Sequence, residues 1–154
     1  EEDMDRIHLR TQPSGGGLFP ISLYVGVRNV KNLEPAIYEY YPYSHSLYRC
    51  ADFDEGSLKA SCDYGDLDPT LCAFTLFSGY NLFGNARKYG DASLAYALIE
   101  VGEIAENAQL AATALGLGIC DLGGYRKNRI EEMLDLDGMC RHIVHMTIAG
   151  QIKD

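Results

Sequence analysis

Lys88 and Tyr89 set an amine and a phenolic hydroxyl side by side. In an apolar cleft, desolvation would disfavour the charged lysine and let the neutral amine take a proton near pH 7, while the phenol orients or protonates a heteroatom. Gly123-Gly124, after a short apolar stretch and before helical spacing, is the second candidate. Two glycines there expose unshielded backbone N–H groups, which can hydrogen-bond a flat heteroaromatic ring or an anion. The third is Pro13-Ser14-Gly15-Gly16-Gly17, which breaks any regular element and lets the backbone approach a ligand closely. Each also has an ordinary reading: an exposed lysine beside a half-buried tyrosine, or glycines at plain turns. Spacing alone leaves both readings open.

Other chemistries lack support. The sequence contains no G-x-G-x-x-G, no phosphate-binding G-x-x-x-x-G-K-[ST] and no G-x-S-x-G, so neither a dinucleotide site, a P-loop nor a hydrolase nucleophile is indicated. Cys50, Cys62, Cys72, Cys120 and Cys140 include no C-x-x-C and no histidine at ligand spacing. The expectation is reduced thiols, no metal site and a cytoplasmic setting. In a regular strand His142 and His145 fall on opposite faces, a poor ligand pair that points to ordinary packing.

The elements that must position these residues follow from composition and pattern. With 154 residues, 47% of them hydrophobic, the chain suffices for one domain, expected over 1–154. Thirteen basic against 22 acidic residues give a net charge of -9, with the basic residues scattered, so nucleic acid and anionic membranes are not expected partners. No apolar run approaches the roughly 20 residues of a spanning helix. The chain starts Glu-Glu-Asp without Met, so a segment of a larger protein is expected.

Ile21-Ser22-Leu23-Tyr24-Val25-Gly26-Val27 alternates with the period of a strand. Short strands near Ala36–Tyr40 and Ser46–Cys50, separated by Tyr41-Pro42-Tyr43-Ser44-His45, predict a hairpin. Asp52, Asp54, Glu55, Asp63, Asp66 and Asp68 mark a solvated connector or short helix, and Leu71 to Phe77 reads as a buried strand. Leu94, Leu98, Val101, Ala105, Ala108, Ala112 and Leu115 recur at spacings of three and four, predicting a helix from Asp91, as cap, to a stop at Gly116. Ile99, Ile104, Leu110 and Ala111 make it apolar nearly all round, which predicts burial on several sides or at a subunit interface. Ile119–Leu122 reads as a short strand, Arg129–Leu136 as a helix and His142–Ala149 as a strand. The class is α+β, or α/β with a mixed sheet.

Taken together these stretches resemble a known family. Arg10-Thr11-Gln12-Pro13-Ser14-Gly15-Gly16, Pro20, Leu23–Val27 and Ala36-Ile37-Tyr38-Glu39-Tyr40 with His45 and Leu47 form the first half of the match. Lys88-Tyr89-Gly90-Asp91, Tyr96-Ala97-Leu98-Ile99-Glu100-Val101-Gly102, Asn107, Leu110, Ala114-Leu115-Gly116-Leu117-Gly118 and Gly123-Gly124-Tyr125 form the second. In this order they resemble SagB-type dehydrogenase domains, the azoline-oxidase branch of the FMN-dependent nitroreductase superfamily. The resemblance implies an α+β fold with a mixed, mainly antiparallel sheet packed around a long central helix. It further implies a homodimer with FMN at its interface and oxidation of peptide thiazolines or oxazolines to thiazoles or oxazoles, the peptide arriving free or on a peptidyl carrier domain. By the same resemblance Lys88 and Tyr89 are catalytic. Arg10, Pro13, Ser14, Gly15, Gly16, Leu122, Gly123 and Gly124 contact the flavin, with the Gly123 N–H facing the hydride-accepting nitrogen.

The chain departs from that family at several points. Gly102-Glu103 and Glu106-Asn107 stand where relatives commonly carry Gly-His and Gln-Asn, and Arg126 stands where Asp is frequent. The N-terminal helix and the paired arginines that hold the flavin phosphate have no counterpart, so the phosphate anchor is unassigned. Two alternatives stand beside azoline oxidation: a general NAD(P)H-dependent nitroreductase or flavin reductase, and a scaffold domain that has lost flavin.

Overall fold

The computed structural model describes residues 10–62 and 68–152. Asp63 and Asp66 of the acidic connector lie outside them. A six-stranded sheet runs in the order β3-β2-β1-β4-β6-β5, and every neighbouring pair in it is antiparallel. The α+β architecture expected from the sequence is present. The sheet, expected to be mixed and mainly antiparallel, is antiparallel throughout these residues.

The chain enters through β1 (Ile21–Val27) and folds back as the hairpin β2 (Ala36–Tyr41) and β3 (Ser46–Ala51). Alternation sends Ile21 to one face and Tyr24 to the other, so both faces of the sheet are covered. On one side α1 (Glu55–Ser61) and α4 (Lys127–Met133) bring Leu58 and Ile130 onto Tyr24, Phe77, Leu122 and Met146. Asp54 caps α1 by accepting from the Gly56 N–H at 3.0 Å, which explains why a helix interrupts this acidic run. On the other side α3 (Ser93–Ala114) lays Ala97 and Val101 over Ile21 and Tyr80.

Three sequence expectations need correction. The run from Leu71 starts the strand too early: Asp68 caps a 3-10 turn over Pro69–Leu71, Leu71 is exposed, and β4 spans Phe74–Asn81. Asp91 does not cap the long helix. It sits in a 3-10 turn, Gly90–Ala92, that follows α2 (Leu82–Tyr89), and Ala92 precedes α3 without a side-chain cap. Finally, α3 buries one face within this chain: Ser93, Ala97, Glu100, Val101 and Ala112 turn inward, while Leu94, Leu98, Ile99 and Leu110 are exposed. Small side chains let the helix settle closely on the sheet, so the larger leucines point away.

β5 (Leu117–Leu122) and β6 (Arg141–Gln151) complete the sheet. Gly116, at φ 68°, ends α3 as expected, its N–H donating to the Thr113 carbonyl at 3.1 Å. A register shift between Ser78 and Gly79 pairs Ser78 with His145 and Gly79 with Ile143, leaving Val144 as the extra residue. The bulge turns His142, opposite Tyr80, and His145, opposite Ser78, to the same α3-facing side, contrary to the regular-strand reading.

Candidate active site

The site is built where the chain enters β1. Ser14, extended at φ -140°, is followed by a 3-10 turn over Gly15–Gly17 in which Gly16 and Gly17 take φ 65° and 67°. Only glycine occupies that region without strain. The turn closes through the Gly17 N–H on the Ser14 carbonyl at 2.9 Å, and the Ser14 hydroxyl accepts from the Phe19 N–H at 2.9 Å. Phe19, a bulky residue at φ 47°, is held in the left-handed region, the kind of backbone outlier that clusters at functional sites.

Against this turn lies the end of α2. Tyr80 and Asn85 fix that helix: the Tyr80 hydroxyl donates to Asn85 Oδ1 at 2.9 Å, and Asn85 Nδ2 donates to the Ser93 carbonyl at 2.8 Å, both side chains buried. Lys88 and Tyr89 follow on its last turn. A Cβ placed on Gly16 would collide with Lys88 Nζ and with the Tyr89 hydroxyl, 2.5 Å away. The Tyr89 ring meets Tyr96 of α3 edge-on at 4.8 Å between centroids, and Lys88 Nζ sits 5.4 Å from the Tyr89 centroid.

Two residues that sequence reasoning named separately, Gly16 and Lys88, are therefore neighbours. Lys88 is exposed among the described residues, however, so these do not enclose its amine in the apolar cleft that would make it a base. Pro13, Ser14 and Gly15 border a hollow of about 230 Å³ with Tyr96, Ile99, Glu100 and Glu103. Arg10 stands beside a larger cleft of about 420 Å³ lined with Thr11, Gln12, Ile21, Leu76 and Asn107. Its guanidinium lies 4.1 Å from the Phe19 ring centroid, and its buried Nε has no hydrogen-bond partner.

Leu122, Gly123 and Gly124 lie elsewhere. Leu122 is buried in the core on the α1 and α4 side, so its side chain is a packing group and only its backbone could meet a ligand. Gly123 and Gly124 are exposed, and a Cβ on Gly123 would touch nothing within 4 Å. β5 is an edge strand three positions from β1, about 14 Å at ordinary strand spacing. The glycine corner and the Lys88 cluster are thus separate features of one chain.

Two polar groups escaped sequence reasoning. Glu100, 2% exposed, accepts a short hydrogen bond from the Ser14 hydroxyl through Oε2, while Oε1 is buried without a partner. Burial pushes its carboxyl above the ordinary value, and Glu103 adds to this against opposing effects of Ser14 and Arg10. A glutamate aligned with Ala97 and Val101 on the inward face was the available signal. Asp121 on β5 is the other: His145 Nε2 lies 3.0 Å from its Oδ1, the Thr147 hydroxyl donates to the same oxygen at 2.7 Å, and Gln109 of α3 donates to Oδ2. Burial pushes the Asp121 carboxyl up, but these bonds outweigh it and leave the group below its usual range. The long separations along the chain hid this cluster.

An antiparallel sheet carrying one long helix, with a lysine–tyrosine pair against a glycine turn, defines an α+β fold with a candidate catalytic cluster at the sheet's end. The nitroreductase family model matches residues 1–150, and the chain belongs to that family of flavin-dependent oxidoreductases. It is 34% identical over 132 residues to the protein named "Putative nitroreductase MJ1384" of Methanocaldococcus jannaschii, covering 86% of this chain and 67% of that protein. It is 29% identical over 150 residues to the microcin B17-processing protein McbC of Escherichia coli, covering 94% of this chain and 55% of McbC. The Escherichia coli microcin synthetase McbBCD complex with truncated pro-MccB17 bound contains a chain that superposes with a TM-score of 0.82 at 27% identity, covering 100% of this chain and 59% of that one. A nitroreductase from Exiguobacterium sibiricum, solved in complex with FMN, shares the fold with a TM-score of 0.65 at 14% identity, over 93% of this chain and 72% of that one.

Proposed function

We propose that the chain is the flavin-binding part of an FMN-dependent azoline oxidase, dehydrogenating thiazoline or oxazoline rings of a peptide to thiazoles or oxazoles. The observation that carries this reading is the packing of Gly16 against Lys88 Nζ and the Tyr89 hydroxyl, which gathers a base, a proton donor and an exposed backbone turn at one place. The similarity to McbC and to the peptide-bound synthetase complex supports a peptide substrate.

The residues present suit a flavin. Arg10 offers a buried guanidinium nitrogen without a partner beside a cleft of about 420 Å³, and Gly123 offers backbone facing open space. Arg10, Ser14, Gly15, Gly16, Gly123 and Gly124 would hold it, the first four from one protomer and the glycine corner from its partner in a homodimer. Bound FMN supplies the hydride acceptor that aromatisation of the ring requires. Lys88, as the neutral amine, takes the proton from the neighbouring ring carbon, and Tyr89 orients the ring through a heteroatom. Lys88 is exposed among the described residues, so this reading requires bound substrate and flavin to cover it.

A second reading has its own support. The exposure of Lys88 and the 34% identity to MJ1384 favour a general NAD(P)H-dependent nitroreductase. Incubating the FMN-loaded chain in air with a thiazoline-bearing peptide separates the two. Azoline oxidation gives a product lighter by two hydrogens per ring; NADH consumption without peptide, and no change in peptide mass, would establish the reductase instead.

A further inference from the structure

We infer that Glu100 is a positioning residue for the Lys88–Tyr89 pair: through the Ser14 hydroxyl it holds the glycine turn against the lysine amine. The inference rests on the catalytic role proposed for Lys88, and each link in it is a contact. Glu100 projects from the inward face of α3 and is 2% exposed. Its Oε2 accepts from Ser14 Oγ, and that same oxygen accepts from the Phe19 N–H at 2.9 Å. Ser14 also closes the turn through its carbonyl, to the Gly17 N–H at 2.9 Å. One side chain therefore ties α3 to both ends of the segment that carries Gly16, and Gly16 is the residue packed on Lys88 Nζ and the Tyr89 hydroxyl.

Stability does not account for a carboxyl here. Glu100 Oε1 is buried without a partner, a costly arrangement that an apolar side chain would avoid. Its neighbours on this face, Ala97 and Val101, pack against Ile21 and Tyr80 of the sheet without any such cost. What distinguishes Glu100 is the reach of its oxygen to Ser14, across 86 positions of sequence. Among the described residues its hydrogen-bond partner is Ser14 and not Lys88 or Tyr89, so its effect on them runs through the turn.

The test compares the full chain with Glu100→Ala, Glu100→Gln and Ser14→Ala. Acylation of Lys88 by limiting acetic anhydride, read by peptide mass spectrometry against Lys31, likewise exposed, in the same molecule, reports whether the turn still lies against the amine and needs no flavin or substrate. Glu100→Ala and Ser14→Ala are expected to raise the Lys88-to-Lys31 ratio several-fold, and Glu100→Gln, whose amide oxygen still accepts the Ser14 hydroxyl, to keep the parent ratio. Should Glu100→Ala fail to fold by circular dichroism, Ser14→Ala, in a surface turn, carries the same comparison. In flavin-loaded protein the two disruptive variants should lower kcat for azoline oxidation while changing KM for the peptide little. Parent-like acylation in every variant, or equal disturbance by Glu100→Gln and Glu100→Ala, overturns the inference. If acylation responds as expected while the parent itself oxidises no azoline, the positioning stands and the azoline-oxidase reading falls.

Discussion

Gly16 shows how little freedom the site leaves a single residue. Its φ of 65° strains any side chain, and a methyl there would push Lys88 Nζ and the Tyr89 hydroxyl aside. Gly16→Ala is expected to lower stability by about 1 kcal/mol from the backbone alone, and to slow azoline oxidation further because the methyl displaces the catalytic pair; thermal melts and steady-state rates check the two effects separately. Glu100 makes a pH prediction. Burial raises its carboxyl in the folded state, so its contribution is fully present at acid pH and is lost as pH rises from the ordinary glutamate range through the raised value. Urea midpoints measured across that window should decline in the parent and decline less in Glu100→Gln. An unchanged slope in the variant would contradict the assignment. Lys88, Tyr89 and the Ser14-Gly15-Gly16 turn were singled out through the family resemblance, because their spacing alone also allowed an exposed lysine and plain turns. Their mutual contact was not, since 72 positions separate Gly16 from Lys88 and no local pattern encodes the approach.

The placement of α2 and α3 depends on a short polar relay between elements. Asn85, 3% exposed, joins the Tyr80 hydroxyl on β4 to the Ser93 carbonyl at the start of α3. Asn85→Ala strands a buried hydroxyl and a buried carbonyl, and should cost about 2 kcal/mol, a fall of roughly 4–8 °C in Tm for a chain of this size. A shift near zero would mean that the relay does not hold these helices. Asp121, tied to His145, Thr147 and Gln109, clips β5 and β6 to α3 in the same way. Since its carboxyl is depressed when folded, that clip stabilises above the ordinary aspartate range and weakens as pH falls through the lower value. Period-two alternation was enough to read β1, and the break from Tyr41 to His45 marked the β2–β3 hairpin. At β6 the strand was read but the bulge at Val144 resets which face its residues take, and at β4, read from a continuous apolar run, a capped turn consumes the first apolar residues. In α3 apolar residues stand on every side of the helix, so periodicity could not choose the inward face; small-residue packing chose it.

For the molecule as a whole, the exposed apolar side of α3 and the distance between the two glycine features belong together. Leu98 at 48% and Ile99 at 59% exposure leave an apolar surface of the kind that marks an interface. In the proposed homodimer this face is covered, and the Gly123 corner of one protomer meets the Lys88 cluster of the other. Leu98→Lys combined with Ile99→Lys should give a monomer by sedimentation and weaken FMN binding in parallel; a parent-like dimer that retains its flavin would contradict this arrangement. The family was legible in the ordered motifs, whereas the assembly lies between chains.

The central claim is that Lys88 takes the proton when a flavin-loaded site oxidises an azoline. Its most direct test mixes the FMN-loaded protein anaerobically with a thiazoline peptide and follows the loss of visible flavin absorbance over one turnover, in the parent and in Lys88→Ala. The parent should bleach, with azole formed in proportion, and the variant should keep its yellow colour and bleach far more slowly. A variant that binds FMN and bleaches at the parent rate would show that another group removes the proton.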